Sequence, residues 1–201
     1  MKVKEVEMAF RGARDYLHGT DLYDAVVSSS DDPCSAMSDF YINFHSKLVK
    51  QPDIVWDVPA DRMKDSSFRV EFGCQIQGAE RKGAIFESDR SISDRRECNE
   101  KKVVESAQID LENRTGILVV PADARPIESV VFLNKHLNSL VLPHIKAPWL
   151  FTKIELSQML PENTIKNLEL KLSQVLGDRL GRSEIIVDGA SVGHITFLTA
   201  S

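Results

Sequence analysis

The chain has 201 residues, 42% of them hydrophobic and 27% charged, with 10 Gly, 8 Pro and 3 Cys. These proportions exclude disordered, collagen-like and disulfide-scaffold proteins. A net charge of −5 weighs against bulk binding to nucleic acid or to an anionic membrane.

A chain this long buries a core large enough to need neither metal nor disulfide for stability. The N-terminus alternates charged and apolar residues, so it lacks the continuous apolar run of about 7–15 residues that a secretory signal requires. Nothing approaches the ~18 apolar residues of a membrane-spanning helix. Cys34, Cys74 and Cys98 lie far apart and form no CxxC pair, which argues against a disulfide framework or zinc ribbon and for a cytoplasmic protein.

In chain order, Val6, Met8 and Phe10 alternate as a strand, and residues 15–27 read as a helix. Residues 41–44 and 54–56 are short strands, separated from their neighbours by loops at 28–33 and 59–67. Phe68, Val70, Phe72, Cys74 and Ile76 recur at a period of two, the mark of a half-buried strand. Residues 78–83 supply turn chemistry, and 84–86 begin the return strand. Residues 102–112 alternate again, with Val103, Ala107, Ile109 and Leu111 on one face. Residues 113–116 then turn the chain into a further strand at 117–120, completing a central antiparallel meander.

Two helices are predicted next. Residues 127–142 place Ile127, Val130, Val131, Leu137, Leu140 and Val141 at helical spacing, with Pro143 closing the segment. Residues 161–176 carry a stripe of Ile165, Leu168, Leu172, Val175 and Leu176 between Pro161 and Gly177. The chain ends in strands at 184–187 and 191–198 around an Asp188-Gly189 turn. The expected fold is one α+β domain over residues 1–201, a largely antiparallel sheet packed with two to three amphipathic helices. Strand–helix–strand–strand order at both ends raises a two-lobed pseudo-repeat, 1–60 and 149–201 flanking the meander.

Four segments are candidates for chemistry. The window from Arg11 to Asp21 gathers Arg14, Asp15, Tyr16, His18, Gly19, Thr20 and Asp21 behind an apolar strand. Helical spacing puts Asp15, His18 and Asp21 on one face, where a carboxylate orients an imidazole for acid–base work. The plainer reading is a surface Arg14–Asp15 pair with His18 lining a turn. Glu105 shares the apolar face of the 102–112 strand, an environment that raises a carboxyl pKa unless a cation or water reaches it. Asn134 and Asn138 sit near the apolar stripe of the 127–142 helix and could line a polar cavity. His136 and His144 lack metal-ligand spacing. Residues 90–102 mix both charges and read as a solvated loop or exposed hairpin arm, with little reason for a reactive Cys98 thiolate.

Dinucleotide, Walker, zinc-protease, nucleophile-elbow and kinase motifs are absent, and no cofactor is expected. The leading expectation is therefore a binding or assembly protein without catalysis, self-associating or engaging a protein partner, because its apolar helices lack an obvious second wall. The alternative is a fold-level analogy: the meander, the 127–142 helix and the His-Gly step before acidic residues are similar to the hot-dog type of acyl-thioester hydro-lyase, thioesterase or binder. That resemblance implies a small acyl ligand, His18 as base, Asp21 or Glu105 as acid, and the Gly19 N–H polarising the thioester carbonyl. Arg14, Tyr16 and Asn134 join it as ligand-binding candidates. No nucleic-acid partner and no membrane span are expected.

Overall fold

Alternating apolar residues and tight turns build the sheets of this chain. The computed structural model describes residues 2–59, 67–98, 100–120, 124–161 and 165–200, so most of the loop expected at 59–67 lies outside the described residues. The chain divides into two compact units, Met1–Cys98 and Asn99–Ser201.

The first unit contains β1 (Lys2–Glu5), β2 (Phe10–Arg11), α1 (Gly19–Ser29), β3 (Met37–Phe44), β4 (Lys50–Trp56), β5 (Val70–Ile76), β6 (Ala79–Ser91) and β7 (Arg95–Arg96). Its sheet runs β1-β4-β6-β5-β3 with every neighbour antiparallel, while β2 and β7 form a separate parallel pair. Val70, Phe72, Cys74 and Ile76 are buried, as the period of two requires. The β5–β6 turn is tighter than the sequence suggests. Gln77 and Gly78 both take positive φ, so two residues reverse the chain and pairing resumes at Ala79. The strand expected over Val6, Met8 and Phe10 is interrupted. The buried Gln51 side chain accepts the Met8 N–H at 2.8 Å and donates to the Met8 carbonyl at 2.9 Å, replacing a ladder rung.

Helix α1 begins at Gly19, later than the expected residue 15, and buries Leu22, Tyr23 and Val26. Tyr23 meets Phe40 of β3 edge-on at 5.4 Å. The Trp56 indole N–H of β4 donates to Ser29 Oγ at 2.7 Å. The helix is thus fixed to the sheet at both an aromatic and a polar contact.

The second unit contains α2 (Glu100–Glu105), β8 (Gln108–Asp110), β9 (Thr115–Leu118), α3 (Pro126–Val141), β10 (Trp149–Gln158), β11 (Leu168–Leu176), β12 (Leu180–Val187) and β13 (Ala190–Thr199). Its strands run β10-β13-β12-β11-β9-β8, again antiparallel. The α+β class with a largely antiparallel sheet holds, and α3 and the Asp188-Gly189 hairpin stand where expected. The helix expected at 161–176 does not: residues 168–176 are β11. Leu168, Leu170 and Leu172 are buried in alternation, and β11 is paired on both sides by β9 and β12. Leu170 lies off the helical stripe, and it is the residue that completes the strand period. The strand expected over 102–112 is also corrected: it is helix α2 followed by the short strand β8.

Both units contain a short strand, a helix and four strands in that order (β1, α1, β3–β6; β9, α3, β10–β13), to which β2 and β7 add in the first and α2 and β8 in the second. The meander expected in the middle of the chain divides, with β5–β6 in the first unit and β8–β9 in the second. Strand orders differ: β6 lies beside β4, its partner two strands earlier, whereas β13 lies beside β10. Among the described residues, no helix is long and apolar enough to cross a membrane.

Gly83 of β6 lies between Trp56 and Phe72 in register, and a side chain there would overlap the Phe72 ring. Its bareness lets those two aromatic rings meet edge-on at 4.7 Å. Gly83→Val should therefore cost roughly 2–3 kcal/mol by overpacking, read as a lower urea midpoint with an unchanged m-value.

Candidate functional site

The first unit assembles a polar cluster around the head of α1. His18 occupies the N-cap position in an extended conformation, and its side chain makes no capping bond. Its imidazole is buried instead, with Nδ1 2.7 Å from Oγ1 of the fully buried Thr20. The Asp21 and Leu22 amides donate to the His18 carbonyl at 3.0 and 3.2 Å, and the Leu17 amide donates to the Leu48 carbonyl at 2.8 Å. Backbone on both sides of His18 is thereby pinned, and the ring is held by a neighbouring hydroxyl. Gly19 and Thr20 open the helix, where amides have no intrahelical carbonyl to meet and the macrodipole is positive.

Asp21 is engaged by Arg11 of β2. Its carboxylate receives Arg11 Nε and Nη2, both at 2.6 Å, in a two-point ion pair. Asp15 lies before the helix, so the shared face of Asp15, His18 and Asp21 does not form. The Arg14–Asp15 surface pair is likewise replaced: the Arg14 guanidinium approaches Cys98 Sγ at 3.4 Å. Tyr16 is half-buried beneath the Lys47 ammonium, 4.7 Å from the ring centre.

Residues 90–98, read from sequence as a solvated segment, take part in this arrangement. Arg95 donates to the carbonyls of Gly12 and Arg14 at 2.5 and 2.8 Å and lies over the Phe10 ring. Strand β7 pairs with β2 through Phe10 and Arg11, which fixes the strand that carries Arg11. Arg90 is held by Glu5, Glu7 and Asp53. From the sequence, Thr20 was part of the window without a role of its own, and Leu48 and Arg95 were not linked to it. Leu48 and Arg95 act from far along the chain, and Thr20 stands out only once His18 is known to turn inward.

The other candidates belong to the second unit. Glu105 ends α2, is exposed and pairs with Lys101 one turn earlier at 3.6 Å. The apolar strand face that made it a candidate acid does not exist. Asn134 and Asn138 are completely buried on α3. His136 is held below its ordinary pKa by burial, opposed by Glu100, and His144 lies 3.1 Å from Asp178 at the surface. Among the described residues, no group of His, Cys, Asp and Glu could hold a metal ion. Cys74 is buried, and desolvation pushes its thiol up to about 11, so it is no ready nucleophile.

A helix lying on an antiparallel sheet, preceded by a short strand and followed by four strands, is the hot-dog architecture. No family model matches the sequence, and no curated protein matches it. Among solved structures, a Novosphingobium aromaticivorans protein provisionally assigned as a thioesterase is similar over 99% of this chain and 95% of its own, with TM-score 0.51 and 9% identity. A TesB protein of Mycobacterium avium subspecies paratuberculosis gives TM-score 0.49 and 6% identity over 98% and 91% of the two chains. A dehydratase domain from a trans-AT polyketide synthase split module gives 0.44 and 12% over 99% and 97%. The likeness to the Novosphingobium structure establishes a shared fold.

That likeness overturns the expectation of a non-catalytic binding or assembly protein. Its structural ground, apolar helices without a second wall, also falls. Helix α3 packs against β9, β10, β11 and α2, so it has its walls, and the second apolar helix is a strand.

The Arg11–Asp21 pair joins β2 to the first turn of α1 while both side chains are mostly shielded from solvent. Arg11→Met, which removes the cation and leaves the carboxylate, should cost roughly 3–5 kcal/mol, and adding Asp21→Leu should restore much of it. Chemical denaturation of the single and double variants reads both effects.

Proposed function

We propose that this chain is an acyl-thioester enzyme of the hot-dog type in which His18 is the general base. The observation that carries the reading is the buried His18 imidazole, oriented by Thr20 and set beside the opening amides of α1. An imidazole gains and loses a proton near neutral pH, which suits it to this role. A thioester carbonyl placed at the Gly19 and Thr20 amides is polarised by their N–H groups and by the positive end of the helix. His18 then takes a proton either from a water attacking that carbonyl or from the carbon beside it. The first course yields a free acid and a thiol; the second begins a dehydration.

Asp21 serves this site through Arg11, as the anchor of the helix start, and Arg14 and Tyr16 flank the approach to it. The shared fold supports the same class of ligand, a small acyl thioester. Cys34, Cys74 and Cys98 lie far apart with no CxxC pair, which supports a reducing, cytoplasmic setting.

The test is turnover of acyl-CoA and of 3-hydroxyacyl-CoA, followed by thiol release and by enoyl absorbance respectively. Wild type should turn over one of the two, and His18→Ala should lower kcat/KM by about 100-fold or more. Thr20→Val should lower it less, because the ring stays and only its orientation loosens. Equal rates in wild type and His18→Ala would remove His18 from the chemistry. No turnover and no binding of either thioester would remove the reading itself.

A further inference from the structure

The second unit contains polar atoms that its packing does not explain, and they are independent of the reading of His18. Asn134, Asn138 and Ser183 are all 0% exposed. Both amide atoms of Asn134, Oδ1 of Asn138 and Oγ of Ser183 lie within the core with no hydrogen-bond partner in the protein. Four such atoms in a helix–sheet interface carry a large desolvation cost unless something answers them.

Geometry places the three side chains together. Asn138 Nδ2 donates to the Asn134 carbonyl one turn back at 2.8 Å, and its Oδ1 is directed at Gly181 of β12, where any side chain would collide with it. Leu133, five residues earlier on α3, lies over Gly116 of β9. Gly116 pairs with Leu170, and Leu170 pairs with Ile185 of β12. Helix α3 therefore runs antiparallel to β12, from the level of Ile185 towards Gly181. Asn134 comes opposite the residues between them, where Ser183 shares the buried face of the strand with Gly181 and Ile185.

No charged side chain is among these groups, so an ion is not the occupant. Asn134 offers donors and an acceptor, Asn138 an acceptor, and Ser183 both. That set matches a molecule that donates and accepts equally. We propose that Asn134, Asn138 and Ser183 enclose an internal hydration site, in which ordered water bridges α3 to β12. Buried water typically makes about three hydrogen bonds, and these side chains supply that number. The bridge sets the polar seam between the helix and a central strand of its sheet.

Oxygen-17 magnetic relaxation dispersion, which counts long-lived internal water, tests the proposal on the full chain. Wild type should show a dispersion amplitude that falls in Asn134→Leu and in Ser183→Ala. Ser183→Ala should also lower the folding equilibrium constant about tenfold, and the double variant should lose less than the two single effects combined, because both sever one bridge. Ser183→Ala removes a single oxygen, so it keeps the test open should Asn134→Leu fail to fold. An amplitude unchanged by Ser183→Ala, or strictly additive stabilities, overturns the proposal.

Discussion

The two-point ion pair between Arg11 and Asp21 is the constraint on which the first unit's polar cluster rests. It ties a two-residue strand to the first turn of α1 across ten residues of sequence. The pair fastens the first turn of α1 directly after His18. Histidine is a poor N-cap by preference, and its ring does not cap the helix. The helix opening is held by Arg11 and by the Leu17–Leu48 backbone bond instead, which leaves the imidazole to turn inward to Thr20. Arg95 extends the same logic, since it fastens the Gly12–Arg14 turn through two carbonyls.

The strands were largely legible because their signal is local. Period-two runs at Val70–Ile76 and the Asp188-Gly189 turn name their own conformation. Residues 168–176 misled because Leu168, Leu172, Val175 and Leu176 satisfy helical spacing as well as they satisfy a strand. Pairing by β9 and β12 chose between the two, and pairing is not a local property. Residues 102–112 misled in the opposite sense: Val103, Ala107, Ile109 and Leu111 alternate like a strand, yet residues 100–105 form a helix that buries Val103 alone.

The site was legible as a window and illegible as a network. His18, Gly19 and Asp21 were identified from their crowding beside a strand, but their partners were not. Helical spacing assigned Asp21 to the imidazole, whereas Arg11 takes both of its oxygens. Glu105 depended on a strand face that is not there. Asn134 and Asn138 were recognised as polar residues near an apolar stripe, and the full burial of their unpartnered amide atoms is a fact only packing reveals. The two units thus use polar groups differently: the first satisfies them within a network around His18, and the second leaves them facing one another across α3 and β12.

In the proposed chemistry the His18 imidazole meets a bound acyl thioester. The most direct measurement of that encounter is the NMR signal of the His18 ring, assigned by comparison with His18→Ala, during titration with a non-hydrolysable thioether analogue of acyl-CoA. The His18 resonances should shift in a saturable manner, while those of the exposed His144, in the second unit, stay in place. A ligand that binds and leaves the His18 signals unmoved would contradict the proposed chemistry.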